Sequence, residues 1–106
     1  MFAAYIEDFE RHDPAAAVRV GQRPEPIATE PNWTIVDVRA SSINRHDVFT
    51  ACGGVIPTEA LPRILGMDAA GIDADGREVV LHNLINSPGW VGPALEDPPN
   101  RTVRRL

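Results

Sequence analysis

A mainly β domain, a barrel or distorted sandwich of short strands, is what this sequence predicts. Three observations carry that expectation. The run "WTIVDVRASSI" alternates Ile35, Asp37 and Arg39 with Val36, Val38 and Ala40, the period of two that a half-buried strand shows. Ten prolines and eight glycines are scattered through 106 residues, which limits long helices and favours frequent turns. Two further strand candidates, "RILGMDAAGID" and "EVVLHNLI", flank Ala74-Asp75-Gly76, which reads as a hairpin-like turn.

Taken in order, "FAAYIEDF" opens the chain as a short strand. An Asp13-Pro14 turn follows, beside His12, and then the alternation of "VRV". Prolines at 24, 26 and 31 exclude helix and any central ladder position there. After the strand at 33–43, Asn44 is placed to cap a short helix, "RHDVFTAC", that stops at Gly53-Gly54. The segment 93–106 is expected to be an irregular tail. It completes a run of four prolines within a dozen residues and carries three arginines in the last six.

Composition bounds the function classes. A chain of this length forms one domain at most and buries roughly 65% of its unfolded surface. Net charge is -5, so no basic patch is available for a phosphate backbone, and nucleic-acid binding is not expected. Cys52 is the single cysteine, which excludes an internal disulfide and a cysteine-rich zinc site. No apolar run reaches the ~20 residues of a membrane span. "MFAAYIEDFERHD" lacks the apolar core of a signal peptide, so a cytoplasmic chain is expected.

The stretch Asn44-Arg45-His46-Asp47 gathers four hydrogen-bonding side chains where a strand ends. Each has a structural and a functional reading. Asn44 is a helix cap or a polar contact to a ligand. Arg45 is a solvent or ion-pair residue. His46 is a surface histidine or a proton carrier, since imidazole titrates near neutrality. Asp47 is a first-turn carboxylate favoured by the helix dipole, or a group that orients His46 or a ribose hydroxyl. Met67 is expected in the core. His82 is expected in a strand, Asp73, Asp75 and Glu78 around a turn, and Trp33 and Trp90 at a rim.

The segments "VDVRASSINRHDVFTACGG" and "PRILGMDAAGIDADGREVV", with the opening strand, resemble the N-terminal part of the medium-chain dehydrogenase/reductase superfamily. That superfamily includes zinc alcohol dehydrogenases and zinc-free quinone oxidoreductases. The similarity covers residues 1–92 in unbroken order, and 40–49 and 65–71 are its most specific parts. It implies a chaperonin-10-like (GroES-like), partly open β-barrel with one or two short helices, incomplete on its C-terminal side. Such a domain holds the substrate, a small carbonyl or activated alkene, while a following Rossmann domain binds NAD(P)H.

Asn44 and Met67 stand where zinc-dependent members carry Cys and His ligands, so the resemblance points to the zinc-free branch and to no metal. It implies His46 and Asp47 as catalytic residues, and Asn44 and Asp47 near the nicotinamide. Asp68 is expected to bond backbone or Arg45. No G-x-G-x-x-G occurs in the chain, so a dinucleotide cradle is not expected in it. The rival reading is a small β-barrel used as a binding or assembly module without redox chemistry. Either way, exposed strand edges make self-association an expectation.

Overall fold

The computed structural model describes residues 1–28, 31 and 33–82, with the backbone of a strand at Arg101–Arg105. Seven strands are described, forming two sheets. The first places β1 (Phe2–Ile6) between β2 (Val18–Gln22) and β4 (Arg63–Ile64). β1 runs antiparallel to both, pairing Phe2 with Gln22 through Ile6 with Val18 on one side and Tyr5 with Ile64 on the other.

The second sheet has the order β6 (Glu78–His82), β5 (Asp68–Ile72), β3 (Trp33–Ala40) and β7 (Arg101–Arg105). β5 is antiparallel to both neighbours, while β7 lies parallel to β3. The fold is mainly β, as expected. The sheets stay open, however, and no closed barrel forms among the described residues.

Two local expectations change. "RILGMDAAGID" is not one strand: β4 and β5 belong to different sheets, and the chain crosses between them at Leu65–Met67. Gly66 makes the crossing at φ 108°, a conformation that suits a residue without Cβ. The tail expected to be irregular over 93–106 carries β7, whose backbone pairs Trp33 with Arg101 through Asp37 with Arg105. Residues 83–92, including Trp90 and the end of "EVVLHNLI", lie outside the described residues.

The helix α1 (Arg45–Ala51) starts at Asn44, whose extended backbone (φ -109°, ψ 158°) suits an N-cap. It closes through Cys52, and Gly53 follows at φ 86°, the left-handed position that commonly ends a helix. The β5–β6 hairpin is organised by Asp73, whose Oδ1 accepts the N–H groups of Asp75 (2.9 Å) and Arg77 (2.8 Å).

The core is small and made of small side chains. Ala3 and Ile6 come from β1, Val36 and Val38 from β3, Ala51 from α1 and Ala69 from β5. Ala3 and Ile6 lie on opposite faces of β1, so that strand is covered on both sides. Of the two alternating sets read in β3, the buried one is Val36 and Val38, while Asp37 and Arg39 face out. Between Val38 and Ala40 the pairing with β5 slips by one residue, leaving Arg39 as a bulge. The bulge bends β3 as it hands the chain to Ser41 and the site.

Candidate functional site

The polar stretch after β3 is held by two carboxylates. Asp68, the first residue of β5, accepts the backbone N–H of Ser42 on Oδ1 at 2.9 Å. Its Oδ2 accepts the Ser42 hydroxyl at 2.6 Å and the Asn44 side-chain amide at 2.9 Å. The same Asn44 amide reaches Ser42 Oγ at 3.3 Å. Asp68 therefore bonds backbone, as expected, but its side-chain partners are Ser42 and Asn44 rather than Arg45, which is exposed.

Asp47 is the second carboxylate and is buried, at 6% exposure. Its Oδ2 accepts the Asn44 backbone N–H at 2.9 Å, the return half of a capping box. Its Oδ1 accepts the N–H of Gly66 at 2.6 Å. Both oxygens thus serve backbone donors, one at the start of α1 and the other in the β4–β5 crossing. Charge-assisted bonds of this kind are short and strong. Orienting His46, one role expected of Asp47, falls to a different residue.

That residue is Thr50, one turn further along α1. Its hydroxyl donates to the His46 carbonyl at 2.9 Å and lies 3.4 Å from His46 Nδ1. Because the hydroxyl proton is spent on the carbonyl, Oγ1 can only accept from the ring. The contact therefore favours the Nδ1–H tautomer and leaves Nε2 as the open nitrogen. His46 is half-buried and lines a cleft of about 50 Å³ with Thr50, Ile56, Ile64 and Met67. Met67 is half-buried at this cleft rather than in the core.

A second and larger space lies across Asp47. It is a groove of about 320 Å³ between β1, the 3-10 turn at Pro14–Ala17 and α1. Asp47, Leu65 and Gly66 line both spaces, so the Asp47–Gly66 bond sits in the partition between them.

The structure thus brings together Asn44, His46 and Asp47 at the start of one helix, joined to Asp68 across the sheet. His12 is exposed and apart from them, and Trp33 is half-buried in β3. His82 closes β6, opposite Asp68 in the backbone register. Sequence reasoning missed Ser42 and Gly66. Gly66 carried a signal, a glycine interrupting a strand pattern. Ser42 carried none, because its partner is 26 residues away.

Among the described residues, no three His, Cys, Asp or Glu side chains gather as a group that could hold a metal ion. The first turn of α1 is already occupied by the Asp47 carboxylate, which would repel a phosphate. No described helix is long and apolar enough to cross a membrane. No family model, no curated protein and no solved structure matches this chain.

Proposed function

We propose that this chain is the substrate-side β-domain of a zinc-free, NAD(P)H-dependent oxidoreductase of the medium-chain dehydrogenase/reductase type, acting on a small carbonyl or activated alkene. The observation that supports this reading most is the placing of His46. It is half-buried in a cleft wide enough for a carbonyl group, with Nδ1 held by Thr50 and Nε2 left open. In its imidazolium form a histidine so held keeps Nδ1–H on Thr50 and presents Nε2–H, which can give its proton to a nascent alkoxide or enolate. Asn44, Asp47 and Asp68 then act as positioning residues, fixing the loop and helix that carry it.

NAD(P)H would supply the hydride, presented by a dinucleotide-binding unit other than the residues described here. A second reading, a binding module without redox chemistry, draws support from Asp47, whose two oxygens are both committed to backbone.

One experiment separates them. The chain is fused to the dinucleotide-binding domain of a zinc-free member of the superfamily, and NADPH oxidation is followed with cyclic enones and quinones. Turnover is expected, with His46→Gln lowering kcat by about 100-fold and flattening its pH profile. A fusion that binds NADPH yet reduces none of these compounds would defeat the oxidoreductase reading and leave the binding module.

A further inference from the structure

We propose that the groove on the far side of Asp47 is a binding site in its own right, for a neutral, largely apolar molecule about the size of two fused rings. The proposal goes beyond the oxidoreductase reading and stands whether or not that reading does. Four kinds of observation converge on it: volume, lining, charge and a serine hydroxyl left free among the described residues.

At about 320 Å³ the groove falls at the small end of ligand-pocket sizes. That is room for roughly ten groups of water size, at about 30 Å³ each. Its walls are mostly carbon: Ala4 and Val18 from the first sheet, Ala15 from the 3-10 turn, Ile43 before the helix, and Val48 and Ala51 on it. Ala4 and Val18 belong to one sheet face, because Phe2, Ala4 and Ile6 pair with Gln22, Val20 and Val18 and share a side of the ladder. Ile43 is 90% exposed and Val48 41%, so apolar surface continues to the rim.

Charge selects the ligand. Among the described residues no Arg or His lines the groove, so none of them would neutralise a carboxylate or phosphate there. Asp47, the one charged side chain among the described lining residues, already accepts from Asn44 and Gly66 and would oppose an anion. At 6% exposure its oxygens present little surface for a ligand ammonium to reach. A neutral body fits this lining.

Orientation falls to Ser41. Of the two serines in the wall, Ser42 donates to Asp68 and accepts from Asn44. Ser41 has no hydrogen-bond partner among the described residues, so its hydroxyl is free to bond one ligand oxygen. The ligand class is therefore a neutral bicyclic or comparable apolar body with a single carbonyl or hydroxyl.

The test uses the full chain, isotope-labelled, and three probes of one shape: 1-tetralone, tetralin and tetralin-2-carboxylate. With 1-tetralone, saturable amide shifts are expected at Ala4, Val18, Ile43 and Val48, and the carboxylate should bind at least about tenfold more weakly. Ser41→Ala should weaken 1-tetralone by about 3- to 10-fold while leaving tetralin unchanged. Ala15→Leu, at an exposed position, should fill the groove and abolish binding of all three without lowering the unfolding midpoint. Equal affinity for the carboxylate would overturn the proposal, as would 1-tetralone shifts that fall elsewhere or fail to saturate. Groove amides that shift with protein concentration in the absence of any probe would also overturn it, since the occupant would then be a second copy of the chain.

Discussion

Asp47 Oδ1 accepts the Gly66 N–H at 2.6 Å, and this one bond fastens α1 to the crossing between the two sheets. The carboxylate is buried and its other oxygen holds the start of the helix. Asp47→Ala removes the acceptor for both N–H groups and should cost about 3 kcal/mol. Asp47→Asn keeps one acceptor oxygen and should cost about half as much. Urea denaturation of the two variants measures this. A change under about 0.5 kcal/mol for Asp47→Ala would mean the crossing is held by something else.

Asn44 gives a prediction that the tertiary contact reverses. As a helix cap alone, Asn44→Asp should be nearly neutral, because both residues cap well. Here the Asn44 amide donates to Asp68 at 2.9 Å, so aspartate would set two carboxylates face to face. Asn44→Asp should therefore destabilise by about 1 kcal/mol or more, and added salt should recover part of the loss. Stability at low and high salt decides the matter, and a neutral Asn44→Asp would reduce Asn44 to a cap.

The His46–Thr50 contact predicts a tautomer. Neutral His46 should carry its proton on Nδ1, the less common form in water, because Thr50 Oγ1 faces that nitrogen only as an acceptor. Nitrogen-15 shifts of the labelled imidazole report which nitrogen is protonated. Thr50→Val should move the population toward Nε2–H. An unchanged ring in the Thr50→Val protein would show that Thr50 does not set it.

Gly71 sits where β5 passes β3 at close range. A Cβ there would run into the Asp37 carbonyl oxygen and come within 2.8 Å of Val36 Cγ1. Gly71→Ala should cost about 2 kcal/mol and speed hydrogen exchange along the β3–β5 ladder. Gly21→Ala is the control, since its Cβ would meet Tyr5 at an ordinary 3.7 Å. Equal stability for the two variants would show that the β3–β5 approach relaxes without strain.

The sequence by itself determined most of the local elements, though not the break between β4 and β5 or the strand β7. Alternation marked β3, turn chemistry placed the β5–β6 hairpin, and Asn44 and Gly53 bounded α1. These signals are legible because they arise from φ/ψ preferences and side-chain periods within a few residues. Only the tertiary structure decided what the polar residues do. Asn44 meets Asp68 across 24 positions and Asp47 meets Gly66 across 19, contacts set by sheet order, a bulge and a crossing. The apolar groove has the same origin: Ala4, Val18, Ile43 and Val48 form no pattern along the chain and become one wall when β2 pairs with β1 and α1 packs beside them. A single Asp can be a proton relay, a cofactor contact or a structural tie with the same neighbours in sequence. Which it becomes depends on which donors the fold brings to its two oxygens, and here they are backbone N–H groups from the start of α1 and from the crossing between the sheets.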